Sequence, residues 1–241
     1  MKLLQKIKKY IFVKLLRKYK YDSDTYIKFL KLSGITIGNN VKFSQMDNIT
    51  IDISRPTLVE IGSDVRFTRG FTLLTHDFSW FVLRNIYDEV IGCSGKVKIG
   101  NNIFFGFNVT VMPSVEIGDN CIIGTGSVVT KNIPPNSVAA GSPAKVLCTI
   151  EEYYEKRKRV YVEEAIDYCN SIVEVAGRTP QLEDFSEEFP LFIDSRNLSD
   201  FSINIMRKQL FTSFSYFEDK HISKFRSLEE FVQYAKKNKK H

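Results

Sequence analysis

The chain has 241 residues and is 43% hydrophobic and 26% charged, a balance that excludes a disordered, collagenous or multi-span membrane protein. Its four cysteines (Cys93, Cys121, Cys148 and Cys169) form no CxxC pair and have no histidine at ligand spacing. This excludes a zinc module or disulfide scaffold and points to reduced cytosolic thiols. The net charge of +6 is concentrated: residues 1–21 hold eight basic residues and no acid, leaving −2 for the rest, so no nucleic-acid surface is expected.

The first predicted element is that basic end. Leu3, Leu4, Ile7, Ile11, Leu15 and Leu16 recur at helical spacing opposite a Lys-rich face, which predicts an amphipathic helix within a segment 1–35. It is too charged to span a bilayer and lacks the uninterrupted apolar region and cleavage site of a secretion signal. Two readings stay open: a helix lying on an anionic membrane surface, or a packing helix with solvated cations.

A repeat organises residues 36–148. An apolar residue returns every six positions at Ile99, Phe105, Val111, Ile117, Ile123 and Val129, with a second set four residues after each. Glycine follows in phase at Gly100, Gly106, Gly118 and Gly124. Neither a helical period nor simple strand alternation gives six, whereas a parallel β-helix does, one short strand and one corner per hexad. Glycine is expected at the corners for its backbone freedom. The frame recurs at Ile37-Gly38 and Ile61-Gly62, but Ile61 and Ile99 lie 38 residues apart, two more than a multiple of six. A segment must therefore leave the coil, and residues 79–96, with Trp80, Arg84 and Asn85, are the expected loop. His76, the one histidine in the first 220 residues, stands just before it.

The run from Val97 to Leu147, and above all its end from Val128-Val129-Thr130-Lys131 through Pro134-Pro135-Asn136 to Gly141-Ser142-Pro143-Ala144-Lys145, resembles the hexapeptide-repeat acyltransferases. It is most similar to the O-acetyltransferases related to the maltose and galactoside enzymes and to those of capsule, lipopolysaccharide and exopolysaccharide synthesis. The resemblance covers residues 36–147. It implies a mainly β fold, a left-handed parallel β-helix with flanking helices. It also implies a cytoplasmic homotrimer with active sites between subunits, acetyl-CoA as donor and no metal.

Residue by residue, the resemblance implies His76 as the general base on a sugar hydroxyl, in a direct transfer from the thioester. The backbone N–H of Phe107 would stabilise the oxyanion. Phe104, Gly106, Gly124, Thr125, Thr130, Lys131 and Lys145 would line the coenzyme groove, with Lys145 where relatives often have arginine. Asp77, Trp80, Arg84 and Asn85 are candidates for the acceptor side. Asp77 has three open readings: orienting His76, binding a sugar hydroxyl, or capping its own turn.

Beyond Thr149 the hexads stop. Thr149-Ile150-Glu151-Glu152 predicts a capping box opening a long helix, with Gly177 and Pro180 as its stop, and Ser227 to Glu230 opens a second. The intervening phenylalanines, Phe185 to Phe225, are expected to fold against the β-helix or a neighbouring subunit, as a packing appendage or as an acceptor-selecting lid. Amino-sugar N-acetylation is the alternative to O-acetylation, and a non-catalytic membrane scaffold would leave His76 unexplained. A three-histidine metal hydratase is disfavoured by the single histidine of the repeat.

Overall fold

Each hexad supplies one short strand, and successive strands rotate among three parallel sheets. The computed structural model describes residues 22–46, 48–198 and 203–239; the helix expected over residues 1–21 lies outside the described residues. The first face stacks Thr36–Ile37, Val59–Ile61, Val97–Ile99 and Glu116–Ile117. The second stacks Lys42–Phe43, Val65–Phe67, Ile103–Phe105, Cys121–Ile123 and Ser137–Ala140. The third stacks Thr50–Ile51, Thr72–Leu73, Thr110–Val111 and Val128–Val129. The registers Ile99↔Ile117 and Val111↔Val129 make a regular turn of the coil eighteen residues, three hexads. The coil spanning the expected loop instead pairs Ile61 with Ile99 and Leu73 with Val111.

The six-residue apolar positions are the inside of the coil. Ile99, Phe105, Val111, Ile117, Ile123 and Val129 are buried, as are the second set including Ser127, whose Oγ donates to Gly124 O at 2.6 Å. Because adjacent strands lie about 4.8 Å apart, like residues stack coil upon coil. Phe43 and Phe67 stack at 4.8 Å between ring centroids, and Phe67 and Phe105 at 5.1 Å.

The hexad glycines serve a purpose other than the one the sequence suggests. They do not occupy left-handed backbone; that corner position is held by Asn40, Asp64, Asn102, Asn120 and Asn136, with φ between 52° and 60°. Glycine is required because the next coil lies against it: a Cβ on Gly106 would stand 2.6 Å from the Thr125 amide nitrogen. The corner asparagines bond along the stack, Asn102 Nδ2 donating to Asn120 Oδ1 and Asn120 Nδ2 to Asn136 Oδ1, both at 2.9 Å.

Helix Ser23–Ser33 belongs to this unit, although the sequence groups residues 23–35 with the basic segment. Asp22 caps it by accepting from Thr25 N–H, Gly34 ends it at φ 109°, and Tyr26, Phe29 and Leu30 enter the same apolar core as the coils. An open coil end would leave Phe43 wet, and Tyr26 packs edge-on against it at 5.0 Å. At the other end, Lys145–Thr149 pairs antiparallel with Ser137–Ala140 and finishes the second sheet.

The chain divides into two compact units, one ending at Tyr154 and the other beginning at Glu155. Helix Ile150–Val175 opens with the expected box, Thr149 N–H donating to Glu152 Oε2 and Glu152 N–H to Thr149 Oγ1. The second box closes differently: Glu230 N–H donates to Ser227 Oγ, but the Glu230 carboxylate accepts from Arg226 N–H. Six phenylalanines of the second unit build a core within it. Phe185, Phe189, Phe192, Phe217, Phe225 and Phe231 are buried with Ala165, Ile166, Cys169 and Ile172. A buried Asp194 ties that core: its carboxylate accepts from Arg196 and from the amide and hydroxyl of Ser223, which holds it well below the usual carboxylate range. Among the described residues, no helix is long and apolar enough to cross a membrane, and no cluster of histidine, cysteine or carboxylate side chains is placed to hold a metal ion.

Candidate active site

The excursion leaves the third face through a narrow neck. His76–Asp77 pairs antiparallel with Cys93–Ser94, and Gly95 N–H donates to Thr75 O at 2.9 Å, so the chain returns where it left. Arg55 Nη1 donates to Cys93 O at 3.1 Å and ties the returning strand to the coil. The expected loop contains a helix, Trp80–Tyr87, none of whose residues is buried.

His76 is oriented by Asp52, a residue the sequence reading did not single out. Strand Thr50–Ile51 pairs with Thr72–Leu73, which brings residue 52 beside residues 74–76. His76 Nδ1 lies 2.6 Å from Asp52 Oδ2, and the two side chains are 21% and 9% exposed. The carboxylate accepts from five donors: Ser54 N–H and Oγ at Oδ1, and Thr75 N–H, Thr75 Oγ1 and His76 Nδ1 at Oδ2. Burial alone would raise its pKa, but the bonds from Ser54, Thr75 and His76 outweigh burial and hold it well below the usual range. An ionised carboxylate only accepts, so Nδ1 carries the hydrogen and the neutral ring keeps its lone pair on Nε2. The ring is thereby set as a proton acceptor facing outward.

The other candidates fall in distinct places. The Asp77 carboxylate accepts from Ser79 N–H at 3.0 Å, a turn of its own backbone; the orienting role it was a candidate for is filled by Asp52. Phe78, also passed over by the sequence reading, sets its ring edge-on to His76 at 5.5 Å and is 69% exposed. Trp80, Arg84 and Asn85 lie on the excursion helix, with Arg84 over the Trp80 ring. Thr130 and Lys131 follow the third face and share His76's edge of the coil. Gly106, Phe107, Gly124 and Thr125 form the opposite edge of that face, where Phe107 O accepts from Gly126 N–H at 2.8 Å and Arg69 covers the Phe107 ring. Phe104 points out of the second face, 46% exposed, beside a cavity of about 220 Å³ shared with Arg66 and Asn120. Lys145 is exposed on the closing strand. Successive coils thus carry His76 on one edge of the third face and the Phe107 amide on the other.

Residues 96–131 match the family model described as bacterial transferase hexapeptide (six repeats). The galactoside O-acetyltransferase of Escherichia coli (strain K12) is 49% identical over 71 residues, 28% of this chain and 35% of that enzyme. Protein CapG of Staphylococcus aureus is 38% identical over 123 residues, 51% of this chain and 70% of CapG. This chain belongs to the hexapeptide-repeat acyltransferases. The acyltransferase is also similar to a solved galactoside acetyltransferase in complex with coenzyme A, at 30% identity and a TM-score of 0.46 over 61% of this chain and 84% of that one. A maltose O-acetyltransferase from Clostridium difficile 630 matches at 25% identity and a TM-score of 0.42, over 59% and 87%.

Proposed function

We propose that this acyltransferase O-acetylates a sugar hydroxyl during synthesis of a bacterial surface polysaccharide (capsule, lipopolysaccharide or exopolysaccharide). The observation that carries the reading is the Asp52–His76 pair, which leaves Nε2 as a base at the mouth of an excursion bearing exposed rings. Nε2 takes the hydroxyl proton as the oxygen attacks the thioester carbonyl, and the imidazolium then protonates the departing thiolate. The sugar acceptor is supported by the galactoside and maltose relatives, and the polysaccharide setting by the resemblance of the repeat.

The coil is proposed to wind left-handed and to assemble as a homotrimer. The positions of His76 and Phe107 on opposite edges of one face support the assembly, because a second copy can present its Phe107 amide to the first copy's His76. The groove between copies would hold acetyl-CoA along Phe104, Gly106, Gly124, Thr125, Thr130 and Lys131, with Lys145 toward the phosphates. Lys145→Ala is expected to raise KM for acetyl-CoA up to about fivefold, the scale of one exposed ionic contact, with KM for the acceptor unchanged. With acetyl-dephospho-CoA, which lacks only the 3′-phosphate, the two proteins should converge; an equal additional loss in both removes Lys145 from recognition of the 3′-phosphate.

The test of the function is thiol release from acetyl-CoA with neutral, acidic, amino, nucleotide-linked and lipid-linked sugars, followed by mild base treatment of the product. An alkali-labile ester supports O-acetylation. A stable amide formed only with amino sugars replaces it by N-acetylation, which the same base can serve. Transfer to no saccharide overturns both.

The basic segment 1–21 is proposed to hold the enzyme at the anionic inner face of the membrane, at about 1 kcal/mol per cation before screening. Flotation with anionic vesicles should be lost at high salt and on deletion of residues 1–21. Binding that survives the deletion refutes this assignment.

A further inference from the structure

The excursion carries a positive charge whose preparation the reaction so far does not use. Arg84 Cζ stands 5.4 Å over the Trp80 ring and 4.9 Å over the Phe81 ring. The two rings, inclined at 63° to one another, hold the guanidinium by cation–π contact, which uses none of its N–H groups. Among the described residues no carboxylate lies within ion-pair distance of Arg84. Asp88, four residues on, is the natural helical partner. The chain turns out of the helix there, at φ 57°, with the Asp88 amide donating to Arg84 O and no ion pair formed.

This cation is joined to the base by a row of rings. His76 to Phe78 is 5.5 Å, Phe78 to Trp80 is 6.2 Å, and Trp80 to Arg84 is the 5.4 Å contact. Phe78 and Phe81 are 69% and 54% exposed, so the row is open to a ligand. A saccharide laid along this row with one hydroxyl at His76 would run toward Arg84. A neutral acceptor would leave the oriented guanidinium idle, whereas a carboxylate or phosphate oxygen pair matches its fork.

We infer that the acceptor is an anionic saccharide and that Arg84 binds its charged group. This rests on the sugar-transferase reading and narrows it. The shared chemistry is a planar or tetrahedral oxyanion, and its source is either a carboxylate on the sugar or the phosphate through which the sugar is linked.

Trp80 is the only tryptophan of the chain, so its emission reports binding at this place without any need for acetyl transfer. The full-length protein is titrated with uronic acids of gluco, galacto and manno configuration, with the corresponding sugar 1-phosphates and with the neutral parent sugars. The expected result is saturable change in emission with uronic acids or with 1-phosphates at concentrations about tenfold or more below those for neutral sugars. Whichever series responds identifies the source of the charge. Arg84→Gln should remove that advantage, Arg84→Lys should retain part of it, and KM for acetyl-CoA should not move. Equal response to neutral and anionic sugars, or an equal loss for both in Arg84→Gln, overturns the inference and identifies the ring contacts as a helix-stabilising feature only. Anionic sugars that bind at Trp80 but never accept acetyl overturn the sugar-transferase reading instead and leave the Arg84 contact standing.

Discussion

Replacing His76 by alanine is expected to lower kcat/KM by about 10²–10⁴, the usual worth of a positioned general base, with the melting temperature nearly unchanged. The ring contributes little to stability because it lies at the neck of the excursion, outside the apolar core. When it is removed, Asp52 keeps its bonds from Ser54 and Thr75, so no buried charge is orphaned. Initial rates of thiol release and a thermal melt on the same preparation check both halves. Activity within a few-fold of the wild type would remove His76 from the chemistry.

Asp52→Asn is the second large effect, expected between about 10² and 10⁴ in kcat. Both carboxylate oxygens of Asp52 accept, Oδ1 from Ser54 and Oδ2 from Thr75 and His76. An amide offers one oxygen and one NH2. Either Ser54 or the Thr75–His76 side therefore meets a donor facing a donor, and in both orientations the imidazole loses the negative charge of its partner. Unlike His76→Ala, this variant should also lose stability. The sign with pH follows from the depressed pKa: above the ordinary carboxylate range the ionised group stabilises the fold, and that contribution is lost as pH falls through the lower folded value. Melting temperature against pH should thus fall on the acid side in the wild type and flatten in Asp52→Asn. Near neutrality Asp52 stays charged and contributes no limb to a pH–rate profile. A variant with full kcat would show that His76 needs no orienting carboxylate.

Most of the coil was legible because burial there follows chain position alone. Ile99 to Val129 fall on one interior line, and a residue's place in the hexad decides whether it is inside. Asp52 was not legible for the opposite reason. The first coil, from Ile37 to Ile61, is longer than eighteen residues and carries a short 3-10 turn at Pro56–Leu58. The meeting of residue 52 with residue 76 is a fact of register, visible only once Ile51 is known to pair with Leu73. The alternation of buried Ile49 and Ile51 was the available signal for that strand. The second unit was legible at its helix caps, where a few adjacent residues decide the outcome. Its core was not, because six phenylalanines scattered without a period do not say what they pack against.

The closed neck of the excursion gives the catalytic edge an interchangeable part. Since Thr75 O and Gly95 N–H meet, and Ile61 still faces Ile99, the coils above and below do not register how many residues intervene. Lengthening such an insert costs little, about 0.6 kcal/mol for each doubling of a flexible loop. The Asp52–His76 pair is anchored on the coil side of the neck, and the rings beyond Phe78 together with Arg84 lie on the far side. On the proposed assignment, exchange of one short cassette, residues 78–92, would change acceptor preference and leave the Asp52–His76 pair and the coils as they are.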